Sequence, residues 1–149
     1  MSLKDRLMDD LKSAMRDKDA VKKDAVQMVR AGILQVEKDN KVTLDDDGVL
    51  EVVAREVKRR RDVLPDYEKS GRADLIDNLK REIDVLMAYL PEQLSEAEIE
   101  KIVADAVAET GAASVKDMGR VMAVIMPKTK GKADGKVVNV IVRKHLGGA

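Results

Sequence analysis

The sequence predicts an all-α fold in two parts, and three observations support this prediction. Aromatic residues make up only 1% of the 149 residues, so Leu, Val, Ile, Met and Ala must form the core, which suits helix-on-helix packing. Apolar residues recur at helical spacing, and no segment shows the sustained alternation of a strand. Pro91, followed by a new helix start, divides the chain into an N-terminal long-helix subdomain, 1–91, and a small three-helix C-terminal subdomain, 92–149.

The first three helices have recognisable start signals. Ser2 is placed to cap the first helix, and Asp19 is placed to cap the second, which runs to about residue 38. Thr43 or Asp45 starts the third helix. Pro65 lies inside this third helix, where its missing N–H predicts a kink or a break.

The remaining helices are bounded by similar signals. Gly111 ends the fifth helix, Pro127 closes the sixth, and the pair Gly147–Gly148 ends the last. Gly119 inside the sixth helix is less favourable than alanine by up to about 1 kcal/mol, which favours close helix packing over ligand approach as its cause. The apolar stripe of the same helix is predicted to lie in the core and not in an exposed partner groove, and it consists of Met118, Met122, Ile125 and Met126. The predicted starts of these four helices are Ala73, Ser95, Ser114 and Asp134.

Composition limits the compartment and the classes of function. The chain has no cysteine, which excludes disulfides and thiolate zinc sites. No apolar run approaches the roughly 18 residues that a membrane span needs, and the N-terminal residues lack the apolar segment of a signal peptide. We therefore expect a soluble, cytoplasmic, monomeric protein that has no membrane association.

The chain carries no recognisable catalytic residue. The only histidine, His145, lies near the end of the last helix, where a histidine usually complements the helix dipole. The acidic cluster Asp45–Gly48 lacks the alternation and the distal Glu of a calcium loop, and nucleotide-binding and nucleophile motifs are absent. We expect neither a metal nor another cofactor.

Positive charge collects near the C-terminal end. From Lys116 onward there are eight basic and two acidic residues, a net +6, so residues 1–115 carry −6. Lys128, Lys130 and Lys132 alternate in a predicted loop directly before the last helix. Loop amides, ammonium groups and a helix N-terminus together suit phosphate oxygens, although an ordinary solvated loop is the alternative.

A second basic run and the lack of aromatic residues refine this picture. Lys58–Arg61 fans around the third helix, which favours salt bridges to Glu56, Asp62 or Asp66 on a solvated face over a binding patch. Because aromatic stacking platforms are absent, contacts to phosphates and to nucleic-acid shape are favoured over sequence-specific single-strand binding.

Several motifs resemble those of the YqeY-like family. The resemblance covers essentially the whole chain, and the motifs that carry it are Arg55–Arg60, Ser70–Leu75, Tyr89–Leu94, Ser114–Met122 and Lys130–Gly135. Pro65 departs from the uninterrupted third helix that is usual in this family. The family resembles the tail of the B subunit of tRNA-dependent Asp/Glu amidotransferase, a carbon–nitrogen ligase with glutamine as amido donor, and that tail contacts tRNA.

The resemblance implies an all-α helical bundle that serves as a tRNA-binding accessory module and is not catalytic alone. The implied partners are tRNA and components such as aminoacyl-tRNA synthetases or the amidotransferase, one of which would supply any catalysis. The alternatives are a protein-interaction adaptor that uses the acidic N-terminal part, and an independent enzyme of amide chemistry. The residues that the resemblance places near RNA are Arg120, Lys128, Lys130, Lys132, Lys136, Arg143 and Lys144.

Overall fold

The structure, a computed structural model, describes residues 1–147 and confirms the all-α prediction. Within that range the chain forms seven α-helices and one 3₁₀ turn, without strands. The helices form two compact units, of which the first is Met1–Leu90 and the second begins at Pro91. The predicted role of Gly148 in ending the last helix lies outside the described residues.

The first unit contains four helices whose starts follow the sequence signals. They are α1 (Leu3–Arg16), α2 (Ala20–Asn40), α3 (Asp46–Ser70) and α4 (Ala73–Met87). The side chains of Ser2, Asp19 and Asp45 each accept a hydrogen bond from the backbone N–H three residues further on. Asp45, rather than Thr43, therefore caps α3, because its carboxylate satisfies a backbone donor that the helix leaves unpaired.

Pro65 does not break α3, so the break that was one of the two predicted outcomes is wrong. The helix continues from Asp46 to Ser70, with Pro65 inside it. Both Pro65 and Arg61 are exposed, so water is able to bind the Arg61 carbonyl that loses its helical donor. The proline is thus tolerated because it lies near the solvated end of a long helix.

Helix α2 approaches α3 closely at Gly32. A Cβ atom added at Gly32 would lie 2.9 Å from Cγ1 of Val52, which is shorter than side chains normally approach. Around this contact lies a mainly apolar core, although Glu56 and Arg60 of α3 are also buried. Its most completely buried large members are Leu7, Val26, Val29, Val49, Val53 and Leu86.

Arg60 forms a buried ion network instead of the solvated salt bridges that the sequence predicted. Its guanidinium donates to Glu56 Oε2 at 2.8 Å and to Glu82 Oε2 at 3.3 Å, so it joins α3 to α4. Arg60 and Glu56 are only 8% and 4% exposed. The predicted pairing with Glu56 is confirmed, but the predicted solvated setting is wrong for Arg60.

Tyr89 fixes the end of the first unit. Its hydroxyl donates to the carboxylate of Asp10, and the guanidinium of Arg6 lies 4.5 Å from the ring centroid, a cation–π distance. Burial, reinforced by the hydrogen bond to Asp10, raises the pKa of Tyr89 far above its ordinary value. The tyrosine therefore anchors the residues just before Pro91 onto α1.

The second unit packs three helices around its own core. They are α5 (Glu96–Thr110), α6 (Met118–Thr129) and α7 (Gly135–His145), and a 3₁₀ turn (Val115–Asp117) precedes α6. Ser95 caps α5 by accepting from the N–H of Glu98, and Gly111 ends that helix in the left-handed conformation, both as predicted. The best-buried core residues are Val103, Val121, Ile125, Val138 and Val142.

Three predictions about α6 are wrong. Pro127 does not close the helix, which continues to Thr129 because a proline in the last turn removes only one backbone donor. Gly119 does not mediate close packing, since a Cβ there would meet no atom within 4 Å. Met126 was predicted to lie in the core but is 50% exposed, whereas Met118 and Met122 do pack against the core.

No helix among residues 1–147 is long and apolar enough to cross a membrane.

Candidate nucleic-acid interface

The predicted lysine loop is a tight turn between α6 and α7 whose amides are largely occupied. The N–H of Lys130 donates to the Met126 carbonyl at 3.0 Å. The N–H groups of Lys132 and Ala133 donate to the Thr129 carbonyl at 2.8 and 3.1 Å. The predicted set of free loop amides is therefore wrong, because the turn uses these donors to close on itself.

The N-terminus of α7 is also occupied. The side chain of Asp134 accepts a hydrogen bond from the Lys136 N–H at 2.9 Å. A carboxylate thus already sits where the helix dipole would attract a phosphate. With the N–H groups of Lys130, Lys132, Ala133 and Lys136 in use, phosphate contacts at this turn depend mainly on the lysine ammonium groups.

Gln93 holds the turn in place, a role that sequence reasoning missed. Its side-chain amide donates to the carbonyls of Gly131 at 2.9 Å and Pro91 at 2.8 Å. The N–H of Leu94 donates to the Lys132 carbonyl at 2.8 Å. The two segments lie 38 residues apart and belong to separate motifs of the family resemblance, and neither motif alone indicates that they meet.

The cations predicted to contact RNA fall into separate groups on the second unit. Lys128 lies in the last turn of α6, Lys130 and Lys132 lie in the turn, and Lys136 lies in the first turn of α7. A second group lies seven residues beyond Lys136, which corresponds to about 10 Å along the helix axis. This second group is Arg143 and Lys144, and all six side chains are exposed.

Arg120 lies outside this turn and is engaged in local structure. Its guanidinium donates to Asp117 Oδ1 at 2.8 Å and to the Thr110 carbonyl at 3.4 Å. The N–H of Ala113, together with Arg120, holds the pKa of the Asp117 carboxyl below its ordinary value. Arg120 thus ties the end of α5 to the start of α6, and the turn does not need it.

The charge separation seen along the sequence lies within the second unit. Residues 91–115 carry six acids and one lysine, which is a net charge of −5. The residues from Lys116 onward carry a net charge of +6, so the net charge of the second unit is +1. The first unit, with 19 basic and 20 acidic residues, carries −1. The acids of the second unit are concentrated on α5, whereas most of its cations lie on α6, the turn and α7; the exceptions are Lys101 on α5 and Lys116 in the 3₁₀ turn.

His145 contacts an acid of α5. Its Nε2 lies 2.6 Å from Glu100 Oε2, so it links α7 to α5 in addition to lying at a helix C-terminus. Among residues 1–147, no group of three His, Cys, Asp or Glu side chains is arranged to hold a metal ion. The site therefore consists of exposed ammonium and guanidinium groups on a rigid turn and a short helix.

Comparison with known proteins fits this architecture. The model of the family described as Yqey-like protein matches residues 4–146. The chain belongs to the YqeY-like family. This match confirms the family that the motifs indicated, whereas the relation to the amidotransferase tail and the binding of tRNA remain predictions.

The curated relatives share one name, "Altered inheritance of mitochondria protein 41, mitochondrial". The protein from Pyrenophora tritici-repentis is 28% identical over 145 residues, which cover 95% of this YqeY-like chain and 80% of the relative. The protein from Candida glabrata is 36% identical over 88 residues, 58% of this chain and 48% of the relative. The protein from Vanderwaltozyma polyspora is 29% identical over 120 residues, 75% of this chain and 64% of the relative.

The predicted cytoplasmic location is contradicted by these relatives, which are named as mitochondrial proteins. The absence of cysteine fits a reducing compartment, but it does not distinguish one reducing compartment from another. The search for an apolar leader recognises secretory signals, whereas mitochondrial targeting segments are amphipathic and rich in Arg and Ser. Neither feature of the sequence therefore distinguishes a mitochondrial protein from a cytoplasmic one.

Proposed function

We propose that this YqeY-like protein is an accessory module that binds folded RNA, with tRNA as its ligand, through the turn between α6 and α7. The observation that carries the proposal is the clustering of exposed cations at one end of the second unit. Lys128, Lys130, Lys132 and Lys136 lie within nine consecutive residues, and only Asp134 among these residues is acidic. Such a cluster attracts a polyanion even though the whole chain is neutral.

The chemistry of the turn determines what kind of contact it makes. Because most backbone donors of the turn are occupied, RNA phosphates are contacted mainly by lysine ammonium groups, which act as point charges without fixed geometry. Phosphate contacts position a protein on its ligand and carry no base information. Both tyrosines, Tyr67 and Tyr89, belong to the first unit, so the second unit has no Phe, Tyr or Trp on which a base could stack. Recognition therefore depends on the shape of the RNA.

The acids of α5 restrict where RNA is bound. Glu96 and Glu98 lie in the first turn of α5 and are exposed, and Glu100 follows them on the same helix. A polyanion is repelled by these carboxylates and attracted by the lysines, so it approaches the turn and not α5. The −1 charge of the first unit gives little electrostatic support to the adaptor alternative, which relied on an acidic N-terminal part.

The module has no catalytic group in this proposal, and it acts beside aminoacylation or transamidation machinery. An aminoacyl-tRNA synthetase or an amidotransferase component would supply the chemistry, while the YqeY-like chain contributes affinity for tRNA. Because the relatives are named as mitochondrial proteins, tRNA from mitochondria and from bacteria should both be tested.

The experiment compares two triple variants of equal charge. Replacing Lys128, Lys130 and Lys132 by Ala should weaken tRNA binding about tenfold or more and lower the slope of log affinity against log salt by about 2 to 3. The control replaces three exposed lysines of the first unit by Ala, so that net charge falls equally. These control positions are Lys12, Lys58 and Lys80.

The two variants separate a local site from a general charge effect. Circular dichroism and thermal unfolding should show that both variants remain folded, because all six side chains are exposed. If the control weakens tRNA binding as much as the turn variant does, binding follows net charge and the site is refuted. If wild type binds no tRNA at low salt, the function itself is refuted.

A further inference from the structure

The exposed side of α2 carries apolar residues that its own fold does not cover. Met28 and Leu34 are 46% and 63% exposed, and Ala31 lies exposed midway between them. Residues three apart lie close together on a helix surface, so these side chains form one short apolar patch. A surface helix normally presents polar residues on its outer side, which makes this patch unusual.

The sequence of this side is nearly symmetric about Ala31. Three residues away on either side lie the large apolar residues Met28 and Leu34, and four residues away lie Gln27 and Gln35. Both glutamines are exposed. When two copies of a helix pack antiparallel around a two-fold axis beside Ala31, Met28 comes level with Leu34 of the other copy. Gln27 then comes level with Gln35, and amides both donate and accept.

The charges at the ends of this side complete the symmetry. Asp24 and Lys38 lie seven residues from Ala31 in opposite directions, and both are exposed. Among the described residues, neither side chain has an ion-pair partner. The same antiparallel arrangement places Asp24 level with Lys38 of the second copy, twice per dimer. A parallel arrangement would instead bring identical charges together.

We propose that α2 is the interface of a homodimer in which two copies pack antiparallel about Ala31. The small side chain of Ala31 allows close approach at the axis. A groove of about 280 Å³ lies on the α1 side of α2, with Leu34 in its wall, and one of about 340 Å³ lies on the α3 side, with Met28 in its wall. These grooves receive the large apolar side chains of the second copy, as in ridge-into-groove packing.

The size of this interface predicts a reversible dimer. The contact from Asp24 to Lys38 extends about 21 Å along the helix, and each copy contributes only three apolar residues. Stable interfaces generally bury about 1,200–2,000 Å² in total, which exceeds what one helix pair offers. The dimer therefore forms at high protein concentration and dissociates on dilution, and it replaces the monomer that we expected from the sequence.

Sedimentation equilibrium of the full chain between about 1 µM and 1 mM tests the dimer. The weight-average mass should rise from 16.4 kDa toward twice that mass. Leu34→Glu should raise the dissociation constant at least about tenfold, because it buries an unpaired charge. Asp24→Lys and Lys38→Asp should each weaken the dimer, and the two together should restore it by exchanging the charges of the pair.

Cysteine cross-linking tests the two-fold axis itself, since the natural chain has no cysteine. Ala31→Cys should give a disulfide-linked dimer when an added oxidant removes two electrons and two protons from the paired thiols. The matched control is Ala20→Cys, an exposed position on the same helix that lies about 33 Å from its counterpart in the antiparallel dimer. This control should stay monomeric.

Three results would overturn the proposal. A mass that stays at 16.4 kDa up to the highest concentration excludes the dimer. Equal cross-linking at positions 31 and 20 excludes the antiparallel register. If the mass rises but Leu34→Glu and the single charge variants leave the dissociation constant unchanged, association uses another surface.

Discussion

Replacing Gly32 by Ala tests the contact between α2 and α3. Alanine gains about 1 kcal/mol of helix propensity over glycine in a helix interior. Its Cβ, however, would lie 2.9 Å from Cγ1 of Val52, which is 3% exposed and belongs to a β-branched side chain with little rotamer freedom in a helix. Overpacking of this kind costs about 1–3 kcal/mol. We expect Gly32→Ala to destabilise the first unit by about 1 kcal/mol.

A double-mutant cycle isolates the steric cost. In a Val52→Ala background the clashing methyl group is absent, so Gly32→Ala should become stabilising by up to about 1 kcal/mol. The coupling energy between the two positions should then be about 1–3 kcal/mol, within the range for residues in contact. Gly119→Ala provides a further control, because its Cβ meets no atom within 4 Å, and it should stabilise α6 by about 0.5–1 kcal/mol.

The assay is urea denaturation followed by far-ultraviolet circular dichroism. Gly32 lies in the first unit and Gly119 lies in the second. The unfolding transition of each unit therefore has to be assigned before the free energies of unfolding of the variants are compared. Stabilisation by Gly32→Ala in the natural background would refute the close contact between the helices. A coupling energy near zero would show that Val52 moves aside without cost.

Three further predictions concern buried charge, pH and the turn. Arg60→Met should destabilise the first unit by up to about 3–5 kcal/mol in urea denaturation, since it removes the buried partner of the Glu56 carboxylate and leaves it only the more exposed Arg59 at 3.5 Å; an unchanged midpoint would contradict this. The hydrogen bond from Lys4 holds the pKa of Glu37 below 4.5, so the stability it contributes is present above pH 4.5 and lost as pH falls through the lowered pKa. Thermal unfolding of Glu37→Gln should therefore differ from wild type at neutral pH and converge with it in acid, and a difference that persists in acid would argue against this linkage. Gln93→Leu should cost the second unit about 1 kcal/mol in the same denaturation assay, and it should also lower tRNA affinity by loosening the turn. Unaltered stability would show that the bond to Gly131 is dispensable.

The helices and their caps could be predicted because these features depend on nearby residues. Ser95 and Gly111 define α5 from its ends, and the structure confirms both. The prolines were misjudged because a lost backbone hydrogen bond is harmful only where water cannot replace it. Exposure at Pro65 and Pro127 is a property of the folded molecule, and the spacing of apolar residues does not reveal it.

The positions of the candidate cations were predictable, but the state of the turn was not. Lysine spacing placed Lys128, Lys130 and Lys132 in a loop before the last helix, which is right for Lys130 and Lys132 but wrong for Lys128, which lies in the last turn of α6. Whether the amides were available depended on how the turn closes, and the carbonyl of Thr129 accepts two of them. The burial of Arg60 could not be predicted either, because it depends on the packing of α4 against α3. This packing brings Glu82, which is 22 residues away in the sequence, to the Arg60 guanidinium.

Fluorescence anisotropy of labelled tRNA, titrated with the full chain over a salt series, tests the central claim most directly. The account predicts saturable binding that falls steeply with salt, prefers tRNA to duplex DNA of matched length, and weakens when Lys128, Lys130 and Lys132 are replaced by Ala. No binding at low salt, or binding that the three replacements leave unchanged, would contradict it.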